Sequence, residues 1–398
     1  MRFSSRSAAW PGLILAALAA CREDVTAPTS SEAVSPAAAA VPTPTFLQVA
    51  AGWYHTCGVA TDGRAWCWGF NRDGELGDGT TTDRSIPTLV KTTLRFTQIS
   101  AGTFGTCGIT TDDRAVCWGF GGDGQLGTGN TSQHLTPVAV AGSRRFRDVR
   151  AGYRHACGVT MAKVAFCWGD NPYGQLGDGS TTRRLKPTRV AGGISFVRVV
   201  SGNDHSCGLT SDNRAFCWGW NFYGQLGTPT NTGAILQPFQ VDASIGQLGQ
   251  VSAGDQHSCA VTTAKVAYCW GRSFHGESGS GFAGVFYLPL KVNSGATRFS
   301  GVSPGGDHVC GMSTENLAYC WGSNSLGQLG SVTGGADRLS PTAVSGGLHF
   351  KALHAGLGHT CAVATDGRAW CWGNNLQGQL GNGNPGTGSA VPVRVGAS

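Results

Sequence analysis

The stretch His55–Gly69, HTCGVATDGRAWCWG, places Cys57 and Cys67 with nine residues between them, and Trp68 and Gly69 follow directly. The flanks of its TDGR centre, Thr61 to Arg64, are short and show no helical period, which predicts a β-hairpin. Asp62-Gly63 supplies a tip where positive φ costs little. A three-residue loop then sets Val59 opposite Ala65 and Cys57 opposite Cys67. Two cysteines facing each other across an antiparallel ladder come within disulfide reach.

The same frame occurs seven times. Its first cysteines are Cys57, Cys107, Cys157, Cys207, Cys259, Cys310 and Cys361, at spacings of 50, 50, 50, 52, 51 and 51 residues. Its second cysteines are Cys67, Cys117, Cys167, Cys217, Cys269, Cys320 and Cys371. A period near fifty is the mark of a repeat architecture. Each unit holds four strand-like pieces bounded by Gly, Pro, Asp or Asn. In the first they are FLQVAAG (Phe46–Gly52), HTCGV, AWCWG and PTLV (Pro87–Val90). The long third-to-fourth link, NRDGELGDGTTTDRSI, points to a blade made of one unit's fourth strand and the next unit's first three. The last strand, Pro392 to Val395, would then complete the first blade and lock the ring.

Of the 15 cysteines all but Cys21 fall into these pairs, which predicts seven disulfides and an oxidising compartment. The rival is a metal site, since His55 shares a strand face with Cys57. No fourth ligand recurs, and Gly105 stands where the second unit's histidine should be. No metal is therefore expected. His55, His155, His205, His257, His308 and His359 are expected to bond backbone near the loop. Trp68, Trp118, Trp168, Trp218, Trp270, Trp321 and Trp372 lie on the face opposite the cysteines and are expected to pack one unit on the next.

The N-terminus reads as an export signal: Arg2 and Arg6, an apolar run over residues 8–20, then Cys21. LAAC, Leu18 to Cys21, resembles a bacterial lipobox, which implies cleavage before Cys21 and lipid on its thiol. A plain secretory leader is the alternative. Residues 21–45, rich in Ala, Pro, Ser and Thr, read as a tether, and residues 46–398 as the repeat array. Attachment to the membrane is thus expected only through the N-terminal lipid, at an outer membrane if the cell has one.

The frame AGxxHxCG…CWGxNxxGQLGxG, seen in Ala51–Gly79, Ala151–Gly179 and Ala355–Gly383, resembles the RCC1 (regulator of chromosome condensation) repeat family. The resemblance implies an all-β, seven-bladed β-propeller of four-stranded antiparallel blades. The count of strands and units agrees with it, because a closed ring hides strand edges. The ring is expected to close by pairing of its N- and C-terminal strands. The fourth unit departs from the frame with GTPT in place of GDGT, and the fifth with Ser278 in place of Leu and Leu248 in place of Phe, and less regular packing is expected in both.

The family's best-known member is a nucleotide exchange factor for a small nuclear GTPase. That role needs an inserted wedge, whereas these spacings vary by only two residues, so exchange-factor-like activity stands as an alternative behind binding. No His-Glu-x-x-His or Gly-Lys-Ser/Thr motif is present, and no enzyme and no cofactor are expected. The glycines of GGDG, Gly121 to Gly124, read as turn glycines with positive φ. The net charge of +6 is small for 398 residues and argues against nucleic acid. Binding remains. The AGxxH and NxxGQLG loops emerge on one rim, where the x positions and their neighbours offer Trp53, Tyr54, Phe104, Tyr153, Arg154, Tyr173, Asn203, Asp204, Trp220, Phe222 and Tyr223. Aromatics with a few polar groups on a rigid rim suit a protein partner at the cell envelope, or alternatively a glycan. A monomer is expected. Exported relatives that block a secreted enzyme with propeller loops make inhibition one concrete form of such binding.

Overall fold

The computed structural model describes residues 44–229, 233–332 and 334–396. Leader, Cys21 and almost all of the tether lie outside the described residues. In the first blade, β1 (Phe46–Ala51), β2 (His55–Ala60), β3 (Ala65–Gly69) and β4 (Arg84–Leu89) form one antiparallel sheet in that order. Six further sheets repeat it, so that blades 1 to 7 cover residues 46–89, 96–139, 146–189, 196–240, 248–291, 299–343 and 350–394. The first strand of each blade lines a central channel, and the fourth is the outermost. Among the described residues the one helical element is a short 3-10 turn, Ala243–Ile245, and no helix is long and apolar enough to cross a membrane.

The seven-bladed propeller is as the sequence predicts; its grouping and closure are not. Each blade takes all four strands from one repeat, and Ser389–Arg394 pairs within blade 7, with Ala369–Gly373. No strand is exchanged between blades 7 and 1. The ring closes by packing alone: Phe46, Val49, Trp66 and Trp68 of blade 1 share a buried cluster with Cys361, Val363, Cys371 and Leu380 of blade 7. The long third-to-fourth link misleads because its length serves another purpose. It crosses to the neighbouring blade before the chain returns to its own sheet, with Trp66 opposite Leu89 and a register shift between Cys67 and Gly69.

That crossing explains the repeat frame. Trp118 of blade 2 is fully buried beside Leu76 of blade 1, and its Nε1 donates to Glu75 O at 2.8 Å. The same bond recurs at all seven interfaces, ending with Trp68 Nε1 to Gln379 O at 2.9 Å. A Cβ on Gly77 would lie 2.7 Å from the Trp118 ring, so the glycine after GQL is needed to admit the indole. Each tryptophan contributes roughly 4–6 kcal/mol of apolar transfer free energy.

Cys57 and Cys67 are opposite each other with Cα atoms 4.1 Å apart, and all seven predicted disulfides form. Each bridge faces the next blade's tryptophan: Cys57 and Cys67 share a cluster with Trp118. So many bridges fit an oxidising environment. Each closes a short loop, worth about 2–3 kcal/mol in the chain-entropy description.

The histidines do not bond backbone as expected. His55 Nε2 meets Thr106 Oγ1 of the next blade at 2.8 Å, and His155, His205, His308 and His359 meet Ser206, Ser258, Thr360 and Thr56 in the same way. Each hydroxyl donates its one proton to the carbonyl of the GQLG loop, as Thr56 does to Gln379 O at 2.9 Å. It must therefore accept from the imidazole, which fixes a neutral ring protonated at Nε2. Burial agrees, holding His55 and His359 down to about 3.

In the fifth blade Ser278 is buried, and its N–H bonds Ser273 Oγ at 2.8 Å, which takes over the role of the frame asparagine. Leu248 replaces the usual phenylalanine and is likewise buried, opposite Thr262. The third and fourth strands there, Ala267–Ser273 and Gly284–Lys291, are longer than elsewhere in that pair, so pairing is extended rather than disturbed. Of the glycines in GGDG only Gly124 (78°) has positive φ. Gly121 is needed for space, since a Cβ there would sit 2.0 Å from Ser132 O.

Candidate binding face

The AGxxH turn is closed by Gly52 N–H to His55 O at 2.8 Å. Its next residue reaches the neighbouring blade: Trp53 N to Gly102 O at 3.3 Å, then Thr103 to Gly152, Tyr153 to Gly202, Asp255 to Gly305, Gly306 to Gly356 and Leu357 to Gly52. These six backbone bonds tie the turns into a belt around one end of the channel, open only between blades 4 and 5, where the Asn203 side chain bonds Asp255 instead. The NxxGQLG loop is fixed beside it. Asn71 is fully buried, accepts from Leu76 N–H at 2.9 Å and donates to Thr80 O and Thr82 O. Phe70 N–H bonds Tyr54 O at 3.0 Å, which joins the two loops. Side chains projecting from this end are held by a backbone ordered before any partner arrives, which lowers the entropy cost of binding.

The predicted rim residues do share this face, in two clusters. Trp53 stacks on Tyr153 with ring centroids 5.1 Å apart, spanning from blade 1 to blade 3 over the buried Thr103. Phe104 joins Tyr153 at 5.6 Å, and Tyr54 meets Phe70 at 6.0 Å. Arg154 lies 5.1 Å from the Tyr153 ring centroid and 3.7 Å from Asp123.

The second cluster runs over blades 3 to 5. Tyr173 packs on Trp220 at 5.8 Å, Trp220 stacks on Phe222 at 6.1 Å and 11°, and Tyr223 meets Phe222 at 5.0 Å. Tyr223 also touches Phe274 at 6.0 Å, which extends the shelf into blade 5. Tyr173, Phe222 and Phe274 are 41%, 55% and 51% exposed, a contiguous apolar patch open to solvent.

Asn203 and Asp204 sit beside the shelf. Trp220 N–H bonds Asp204 O at 2.8 Å, and Asn203 Nδ2 donates to Asp255 Oδ1 at 2.6 Å. Burial, helped by the charge of Asp255, raises Asp204 to about 6; burial likewise raises Asp255 to about 6. Neither carboxylate has a basic side chain within ion-pair distance, unlike Asp123 and Asp307, which pair with Arg183 and Arg272. Sequence reasoning missed Phe274, Asp255, Asp307 and Arg272. All four stand at variable loop positions or just after Trp-Gly in blades 5 and 6, and Phe274 aligns with Phe222 once Ser273 is matched to the frame asparagine. Among the described residues no group of three or more His, Cys, Asp or Glu side chains is arranged to hold a metal ion.

A family model described as RCC1-like domain matches residues 17–310, and RCC1 repeat models match residues 300–328, 315–363, 350–379 and 366–398. The ultraviolet-B receptor UVR8 of Arabidopsis thaliana is 30% identical over 158 residues, which is 39% of this chain and 36% of that protein. The aligned part thus spans about a third of that relative's length. Human WBSCR16 superposes with a TM-score of 0.74 at 20% identity, over 81% of this chain and 88% of that one. Yeast RCC1 (Prp20), solved with Kap60 bound, gives 0.73 at 20% identity, over 89% and 85%. At that identity the likeness is one of fold.

Proposed function

The chain belongs to the RCC1-like domain family, and we propose that it is a non-enzymatic binding propeller of the cell envelope that presents the AGxxH and NxxGQLG face to a protein partner. In this reading Cys21 carries the lipid anchor and residues 21–45 form the tether. The carrying observation is the half-exposed shelf of Tyr173, Trp220, Phe222, Tyr223 and Phe274 on a hydrogen-bonded belt. Large rings on a rigid backbone are the residues that dominate protein interfaces. The protein-bound state of yeast RCC1 (Prp20), which has Kap60 bound, supports the general mode.

A glycan is the second reading, favoured by one observation. Trp220 and Phe222 lie within 11° of parallel and make a flat platform of the kind a sugar ring covers. One experiment addresses both. Purified protein is probed with envelope proteins and with an oligosaccharide panel, alongside a Phe222→Ala/Tyr223→Ala double variant and a Leu47→Ala control at the far end of the inner strands. Loss of a saturable protein interaction in the double variant alone supports the proposal. Loss of oligosaccharide binding alone favours the glycan, and equal binding by all three proteins removes the face from consideration. Mass spectrometry of the mature N-terminus tests Cys21: an unmodified thiol, or a chain that keeps residues 1–20, refutes the anchor.

A further inference from the structure

The channel encloses a cavity of about 500 Å³, within the range of small-molecule pockets. Its wall includes Gln48, Arg150, Arg198, Gln250 and His354 from the third and fifth positions of the inner strands, and it is electrically lopsided. In blades 1, 2 and 5 the third residue is a glutamine that ties its strand to the next one. Gln48 Nε2 donates to Ile99 O at 2.8 Å, Gln98 to Asp148 Oδ1 at 2.8 Å, and Gln250 to Val302 O at 2.8 Å. In blade 4 this position is Arg198, whose guanidinium lines the channel and makes no ion pair or hydrogen bond with a described residue.

Arg150 stands at the fifth position of the adjacent inner strand, Phe146–Ala151. Its Nη2 lies 3.2 Å from Asp148 Oδ1, an oxygen that already accepts from Gln98, while its Nε is buried without a partner. Two guanidinium groups thus line one cavity, and the carboxylate near them, Asp148, is paired with Arg150 and bonded to Gln98. They repel: the charge of Arg150 adds to burial in disfavouring the Arg198 cation. At the third position of blades 6 and 7 the residues are Gly301 and Ala352, which leaves room at the level of Arg198, while His354 of blade 7 lines the channel at the level of Arg150. Arg147 and Lys351, at the second position of their strands, add positive charge towards one mouth, whereas Asn203 and Asp255 lie at the other. Positive charge in a narrow low-dielectric cleft focuses the field on an incoming anion.

We propose that the channel binds a small organic oxyanion, a phosphate or a polycarboxylate, with its anionic group held between Arg150 and Arg198. The planar guanidinium donors suit either oxyanion through paired N–H···O bonds. The size of the cavity leaves space for the remainder of a molecule larger than inorganic phosphate. The inference is independent of the aromatic shelf.

The test is calorimetric titration of the disulfide-intact protein with citrate and, separately, with inorganic phosphate, at ionic strength held constant with sodium chloride. Saturable one-to-one binding of either anion is expected, and the anion preferred identifies which chemistry the site takes. Arg198→Gln should weaken it at least tenfold. That variant places in blade 4 the residue that blades 1, 2 and 5 already carry, so it should fold with an unchanged melting temperature. Arg394→Gln, on the outermost strand of blade 7, should bind as the parent does. The proposal is overturned if neither anion saturates the protein, or if Arg198→Gln and the parent bind alike.

Discussion

Replacing Glu75 by glutamine should stabilise the propeller, and by an amount that depends on pH. Glu75 stands at the Gln position of the GQLG loop, where Gln175 and Gln225 accept the N–H of Tyr173 and Tyr223 at 3.0 Å through Oε1. Glu75 does the same for Asp73 N–H through Oε2 at 2.9 Å, and its Oε1 is buried without a hydrogen-bond partner, as is the Nε2 of Gln175 and Gln225. Burial raises its pKa from 4.5 to about 8, so at neutral pH the folded protein keeps a proton and the side chain imitates glutamine. The unfolded chain releases that proton above pH 4.5. Folding stability is therefore drained as pH rises from about 4.5 to about 8 and the loss levels off beyond, where both states are ionised. At about 1.4 kcal/mol per pH unit the ceiling is roughly 4–5 kcal/mol, reduced by whatever relaxation lets water reach the carboxylate. Glu75→Gln should thus match the parent near pH 4, exceed it by about 2–3 kcal/mol at pH 7 and gain most at pH 8. Urea unfolding of oxidised protein, followed by tryptophan fluorescence from pH 4 to 9, measures this. A difference that does not change with pH, or a variant less stable than the parent at pH 8, would refute the reasoning.

Three further outcomes are expected. His257 is the one frame histidine with neither ring nitrogen bonded, because Val309 stands where the next blade's hydroxyl should be. Val309→Thr should add about 1–2 kcal/mol in urea unfolding by giving it an acceptor, and a loss of that size would show the site to be purely apolar. Lys265 holds φ 65° at the hairpin tip, where the first blade has Gly63, so Lys265→Gly should raise stability by about 1 kcal/mol, read as a small rise in melting temperature, and a fall would be contrary. Seven histidines, the six of the frame and His354 on the channel wall, are held neutral by burial at pKa values of about 3 to 4, so unfolding takes up protons below pH 6.5. Stability should fall as pH drops from 6.5 to 4.5, since these outnumber the four buried carboxyls, Glu75, Glu277, Asp204 and Asp255, that pull the other way; a flat urea midpoint would contradict it.

The hairpin and its bridge were legible because both depend on local spacing. Nine residues between cysteines around a three-residue tip admit one register, and Val59 does face Ala65. The tryptophans were legible as packing residues because large rings repeated on one strand face need a core to enter. What a tryptophan enters was not legible, since the GQLG carbonyl it bonds lies 43 to 45 residues earlier at six of the seven interfaces, and 311 residues later at the ring closure. Blade grouping failed for a related reason. Link length predicts adjacency only when the link does nothing itself, and the NxxGQLG link is part of the interface.

The histidine network shows what a closer reading of the repeats could have found. At five interfaces a histidine faces a threonine or serine that directly follows the next blade's histidine position. At the blade 2–3 interface Gly105 and Ala156 replace both members together, and a carbonyl left with one donor, Trp168 Nε1, is satisfied. At the blade 5–6 interface only the hydroxyl is gone, which strands the buried imidazole. Losing both partners leaves no buried group unmet, whereas losing one does. The same logic separates the two halves of each repeat. Trp, Gly, Leu and the cysteines are committed to a neighbouring blade, so their identity is dictated by contacts a period away. The side chains between Gly and His of the AGxxH turn carry no such duty, because their anchoring is by backbone. Residues as different as Trp53, Thr103, Gly306 and Leu357 make the same backbone bond to the next blade, and that freedom allows the face to be shaped to a partner without loosening the ring.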